Sequence, residues 1–200
     1  MATPLPLIDL PLFPLDTVLY PGAPLQLRIF EPRYLDMVRE CARTGGGFGV
    51  CLILDGYEVG EPALPAAVGT VATITDFHTT AEGLLGIVAR GGARFRVERT
   101  RAGGDGLLRG DVALWPDEPE VPVPVEFALL QSILERLVET LGPHWRDAPR
   151  ASYDDASWLG FRMAELLPLD NSERQRLLEF TDPIERLAEL RDILPRFQKP

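Results

Sequence analysis

The 200-residue chain holds one lysine, Lys199, two cysteines, Cys41 and Cys51, and two histidines, His78 and His144. These few groups bound the chemistry available. A phosphate-binding loop needs a lysine just after its glycines to reach the β- and γ-phosphates. Lys199 is the penultimate residue and follows no glycine-rich turn. A serine–lysine hydrolytic pair and a Schiff-base enzyme both need a lysine held in a pocket. Cys41 and Cys51 form no CxxC motif and the histidines lie far apart, so neither a zinc spacing nor a disulfide framework is present. A Cys41–His78 pair has no orienting third group, and Cys41 falls on the apolar stripe of a helix, where a thiol acts as a small hydrophobe. Ser132, Ser152, Ser157 and Ser172 all lie in helical sequence, none on a nucleophile elbow. The pairs Asp117–Glu118 and Asp154–Asp155 read as solvated charge, the first in a linker, the second at a helix start. Gly45 to Gly49 follow a helix and precede a strand, the reverse of a dinucleotide loop. These residues predict no catalytic site, no metal, no cofactor and no enzyme.

Thirty acidic against twenty basic residues give a net charge of −10, and the pI is near 4.7. That field repels phosphate backbones and anionic membranes, so nucleic acid is a poor partner. No apolar run reaches the length of a membrane span, and MATPLPLIDLPLF has no basic start, so no signal peptide is expected. With so few cysteines, the expected compartment is a reducing cytoplasm. A chain of this size buries roughly 70 % of its unfolded surface and can fold without staples.

The first 115 residues carry short alternating segments. Over 24–30, Leu25, Leu27 and Ile29 face one way and Gln26, Arg28 and Phe30 the other, which predicts a strand. Pro32 then opens a helix to about residue 43, with Tyr34, Leu35, Val38, Cys41 and Ala42 as its apolar stripe. Further strands are expected at 48–54, 68–78 and 84–90, and a hairpin at 93–115 around AGGDG. Residues 116–124 (PDEPEVPVP) hold four prolines and three acids and read as a linker. Beyond it the period becomes 3.6. Helices are expected over 125–141 and 154–166, then one opened by a Ser172–Gln175 capping box and one by Asp182-Pro183. The predicted fold is α+β: a small β-barrel or rolled sheet with one helix over 1–115, the linker, and a four-helix bundle-like part over 125–200.

Residues 10–41, LPLFPLDTVLYPGAPLQLRIFEPRYLDMVREC, carry PLFPL, PG and IFEPRYLDMVREC at a spacing that resembles the Lon protease N-terminal, substrate-binding domain. The resemblance is closest to stand-alone proteins built from that module. FGV at 48–50, GTVATIT at 69–75, RFRV at 94–97 and the helical segment from Leu166 to Leu190 extend it over most of residues 5–198. It implies a PUA-like barrel followed by helices, and recognition of polypeptide without the ATPase or the protease.

The corner where strand meets helix gathers Arg28, Phe30, Glu31, Arg33 and Tyr34. One reading is a polar rim around an exposed aromatic, suited to gripping an extended peptide. The other, which we favour, is a glutamate–arginine lock that fixes the corner. Trp115, which ends a strand beside the linker, joins these five as a candidate partner-binding residue. The expected function is thus non-enzymatic binding of unfolded or extended polypeptide, or of a protein partner. The alternative is a PUA-like RNA- or small-ligand-binding protein, for which Arg90, Arg94, Arg96, Arg99, Arg101 and Arg109 would form a basic patch.

Overall fold

The computed structural model describes residues 5–58, 63–140 and 148–197, so His144, Trp145 and Lys199 lie outside the described residues. The chain divides into two units, residues 1–117 and 118–200.

The first unit holds six strands, β1 (Leu5–Leu15), β2 (Pro24–Ile29), β3 (Phe48–Asp55), β4 (Leu64–Thr79), β5 (Leu85–Ala102) and β6 (Leu108–Leu114), and one helix, α1 (Pro32–Thr44). The sheet order is β2-β5-β4-β3-β1-β6, and β6 also pairs with β5. That extra pairing closes β1, β3, β4, β5 and β6 into a ring, a small barrel, and among the described residues β2 is attached to β5 alone. Only β1 and β3 run parallel.

The prolines of β1 argue against a strand, yet the segment is one. β1 pairs with β6 over Leu5–Leu12 and with β3 over Leu12–Leu15. Pro6, Pro11 and Pro14 therefore each sit where one side of the strand has no partner, the position in which a missing N–H is tolerated. The segments expected at 84–90 and 93–101 prove to be one strand, β5, which runs through Gly91 and Gly92 without a turn.

The FGV, GTV and RFRV motifs meet in the barrel core. Phe95 is fully buried among Leu10, Leu12, Cys51, Leu108 and Val112. Its ring lies on two glycine backbones: a Cβ on Gly49 or on Gly69 would come within 2.7 Å of it. Side chains at either position would push the ring from its seat.

α1 ends at Gly45, whose φ of 70° is left-handed and lets its N–H cap the Cys41 carbonyl. Its buried face is Arg33, Tyr34, Met37, Val38 and Cys41. The predicted stripe was thus rotated by about one position, since Ala42 is exposed and Met37 is not.

The second unit packs α2 (Ala128–Thr140), α3 (Ala156–Leu166), α4 (Asn171–Glu179) and α5 (Pro183–Ile193) around Leu134, Leu159, Met163, Leu177, Leu187 and Leu190. The capping box of α4 belongs to Asp170 and Glu173 rather than to Ser172 and Gln175. Asp155 caps α3 and Asp182 caps α5, so Asp155 serves geometry rather than bare solvation.

Residues 118–124 are held on this unit. The Val121 carbonyl accepts from Ala156 N at 2.8 Å, and Val123 N donates to the Asp154 carbonyl at 2.9 Å. The expectation that Glu118 is solvated charge is corrected here. Its side chain is 5 % exposed and meets Arg186, which is 0 % exposed. Arg186 Nη1 and Nη2 donate to the two Glu118 oxygens at 2.9 and 2.5 Å. Nε donates to the Leu177 carbonyl, Nη2 also to that of Phe180, and the guanidinium lies over the Phe161 ring. Ser157 Oγ donates to the same carboxylate. Every one of these contacts satisfies a charge that burial would otherwise penalise heavily.

Candidate functional site

A cleft of about 400 Å³ opens beside β2 in the first unit. Phe13, Leu15, Leu27, Ile29, Tyr34 and Leu84 supply its apolar surface; Gln26, Arg28, Phe30, Glu31 and Glu58 complete the lining. Four of the six sequence-predicted site residues, Arg28, Phe30, Glu31 and Tyr34, are therefore brought to one place. Arg33 stands behind it and Trp115 is not among the lining residues.

The strand alternation of β2 reads out as exposure. Gln26, Arg28 and Phe30 are exposed, Leu25 and Leu27 half-buried, Ile29 buried. Phe30, 53 % exposed, is the aromatic presented to solvent. Tyr34 is not: it is 6 % exposed and stacks on Phe13, ring centroids 3.9 Å apart at 18°. Of the two aromatics at this corner only Phe30 is thus partly exposed, and Tyr34 is the floor. The reason is helical phase, because Tyr34 falls on the face of α1 that turns toward Phe13 and the barrel.

Arg33 is 7 % exposed. Its Nη2 pairs with Glu31 at 2.9 Å, its Nη1 donates to the Gly106 carbonyl at 3.2 Å, and its guanidinium lies 4.7 Å from the Tyr34 ring centre. One residue thereby ties the β2–α1 corner to the tip of the β5–β6 hairpin. That geometry is the lock. Arg33 and Phe30, close neighbours in sequence, thus differ in exposure: the first is buried and paired, the second open to solvent.

Burial pushes the Tyr34 phenol from its usual 10.0 to about 12; Arg33 acts against the rise, while Glu31 and Glu58 add to it. A folded pKa above the unfolded one means the stability Tyr34 contributes is complete below pH 10 and fades as pH rises through 12. An alkaline absorbance titration is expected to show a late tyrosine component near pH 12 that Tyr34→Phe removes. A Tyr34→Phe difference centred near pH 10 would show an accessible ring instead.

The two cysteines gathered from the sequence are both buried. Burial raises the Cys41 thiol pKa, and raises that of Cys51 to about 12, the opposite of what a thiolate nucleophile needs. No group of three or more His, Cys, Asp or Glu suited to a metal occurs among the described residues. No helix among them is long and apolar enough to cross a membrane. Three of the six arginines of the supposed basic patch are engaged, while Arg90, Arg96 and Arg99 are exposed. Arg101 pairs with Asp9 and Asp111, Arg109 with Glu40 and Asp9, and Arg94 is buried over Trp115. Sequence reasoning named as site residues none of the other seven lining residues, Phe13, Leu15, Gln26, Leu27, Ile29, Glu58 and Leu84. Phe13 and Leu15 lie in the proline-broken strand, and Glu58 and Leu84 reach the cleft only through pairings distant in sequence.

Comparison with known proteins agrees with this architecture. The family model of the ATP-dependent protease La (LON) substrate-binding domain matches residues 9–196. A Lon N-terminal domain protein from Xanthomonas campestris, solved by crystallography, is 44 % identical, with a TM-score of 0.79 over 93 % of this chain and 98 % of that one. The N-terminal domain of a Mycobacterium avium complex Lon protease shares the fold, with a TM-score of 0.65 at 20 % identity over 92 % of this chain and 96 % of that one. Among curated proteins, a LON peptidase N-terminal domain and RING finger protein of Schizosaccharomyces pombe is 26 % identical over 90 % of this chain and 43 % of its own length. A Lon protease of Cytophaga hutchinsonii is 25 % identical over 94 % of this chain and 24 % of its own length. The chain thus spans less than half the length of either curated relative. Those longer proteins share with it one module, and residues 9–196 are accounted for by that module alone. With its closed β-barrel, its following helices and this match along nearly its whole length, the chain belongs to the Lon substrate-binding domain family.

Proposed function

We propose that this protein binds unfolded or extended polypeptide, or a segment of a protein partner, in the cleft beside β2, without catalysis and without nucleotide. The observation that carries the reading is the pairing of an apolar floor, Phe13 and Tyr34, with an exposed aromatic, Phe30, at its rim. Apolar burial supplies affinity at roughly 25 cal/mol per Å², and an aromatic that becomes covered on binding is a common anchor. Membership of a substrate-binding family supports the same reading. The RNA alternative is weakened, because Arg94, Arg101 and Arg109 are already held by Trp115 and by carboxylates.

The test is binding of reduced, carboxymethylated lactalbumin, a permanently unfolded polypeptide, measured by calorimetry without ATP. Phe30→Ala is expected to weaken it about tenfold or more, in line with loss of an aromatic anchor, while leaving the melting temperature in place. Apolar binding should persist at moderate salt, whereas an oligoribonucleotide held by phosphate contacts would be released. Equal binding by wild type and Phe30→Ala would place the site elsewhere.

A further inference from the structure

The cleft runs along the edge of β2 rather than over one of its faces. Successive side chains of a strand point to opposite faces, so a cleft over one face touches every second residue. This one touches Gln26, Leu27, Arg28, Ile29, Phe30 and Glu31 in unbroken succession. β2 is also the terminal strand of the sheet, bonded to β5 on one side and to no strand on the other among the described residues.

The orientation of its main-chain groups follows from the ladder. Gly91 N donates to the Ala23 carbonyl at 2.9 Å, and the register continues with Leu25 opposite Ala89, Leu27 opposite Ile87 and Ile29 opposite Leu85. Hydrogen-bonded pairs alternate in an antiparallel ladder. Leu25, Leu27 and Ile29 therefore turn their N–H and C=O groups toward β5, and Gln26 and Arg28 turn theirs outward. An unpaired row of this kind is a template for another strand. Six residues of strand give about 20 Å of edge.

Charge sets the kind of strand. Glu31 and Glu58 line the cleft, with Asp16 N bonded to Glu58 and Glu82 within the field of Arg28. Against the Glu31, Glu58 and Glu82 carboxylates stand Arg28 and Arg33, and Arg33 is already held by Glu31 and Gly106.

We propose that the cleft takes its polypeptide as an added β-strand, bonded to the outward groups of Gln26 and Arg28. Alternate apolar side chains rest on Phe13, Leu15 and Tyr34, and a lysine or arginine faces Glu31 and Glu58. The inference rests on the polypeptide-binding reading and names its mode and its preferred sequence class. Main-chain bonds would supply affinity indifferent to sequence, and the side-chain alternation would supply the preference.

The experiment uses four fluorescein-labelled octapeptides and fluorescence anisotropy with the full chain. The parent alternates valine and lysine, and a second peptide alternates valine and glutamate. The other two are the parent N-methylated at every second amide, one in each phase. Alternation fixes the register, because a one-residue slip turns every side chain over. The parent is expected to bind and the glutamate peptide to bind at least about tenfold more weakly. One N-methylated phase should lose about tenfold or more and the other should keep the parent's affinity, since an added strand bonds β2 through alternate residues only. Gln26→Pro, which removes one outward N–H from an edge strand, should weaken the parent with little change in melting temperature. Equal binding of the two N-methylated phases overturns strand addition, and equal binding of the lysine and glutamate peptides overturns the charge preference. If the parent fails while carboxymethylated lactalbumin still binds and still loses affinity with Phe30→Ala, this inference falls and the binding reading stands. If neither binds, both fall.

Discussion

Glu118→Ala is expected to cost the helical unit about 3–5 kcal/mol, the largest single effect foreseen for any exchange in that unit. The exchange strands the Arg186 guanidinium, fully buried and bonded to both Glu118 oxygens. The Leu177 and Phe180 carbonyls would still accept from it, but no counter-charge would remain. A buried ion pair need not be worth more than apolar residues of the same volume, and breaking one side of it is what costs. The double exchange Glu118→Leu with Arg186→Met is therefore expected to recover much of the loss. Urea unfolding followed by far-ultraviolet circular dichroism, dominated by helix, reads both variants. A Glu118→Ala protein that unfolds with the wild type would show that Arg186 finds another acceptor.

Tyr34→Ala should be nearly as damaging to the barrel unit, at about 3–5 kcal/mol, the range for emptying a large aromatic site. The ring is buried, stacked on Phe13 and covered by the Arg33 guanidinium, and Phe13 in turn meets Phe48 at 6.0 Å. Phe30→Ala, four residues earlier, should change stability by less than about 0.5 kcal/mol. The contrast separates floor from rim. Equilibrium denaturation of the two variants side by side measures it, and comparable stability losses would mean that Phe30 is held as firmly as Tyr34.

What could be foreseen here followed local periodicity, and what could not followed distance along the chain. The alternation of Gln26, Arg28 and Phe30 against Leu25, Leu27 and Ile29 predicted the strand and separated its two faces. Pro32, Gly45, Asp182 and the 3.6 period of the second half placed most helix ends, because caps and turns act within a few residues. No strand was expected over β1, since whether its prolines are tolerated depends on which side of the strand is paired, and β3 and β6 are distant in sequence. Gly91-Gly92 looked like a turn but lies inside a strand.

The corner residues show the same limit. Their gathering was legible from sequence proximity. Which of them faced solvent was not, because Phe30 takes its exposure from the alternation of β2, whereas Tyr34 is covered by Phe13, which comes from a strand distant in sequence. The cleft itself arises because β2 pairs with a strand some sixty residues away and keeps its other edge open, a property of topology. Glu118 found its partner 68 residues downstream, beyond the reach of any local pattern.

The central claim is that polypeptide is held along β2, and amide hydrogen exchange with and without carboxymethylated lactalbumin tests it most directly. Exchange is slowed where main-chain groups become bonded or covered. The account predicts new protection on a peptide spanning residues 26–31, with a smaller effect around Leu84 and none on the helices of the second unit. Protection confined to those helices, or bound polypeptide with no change along β2, would contradict it.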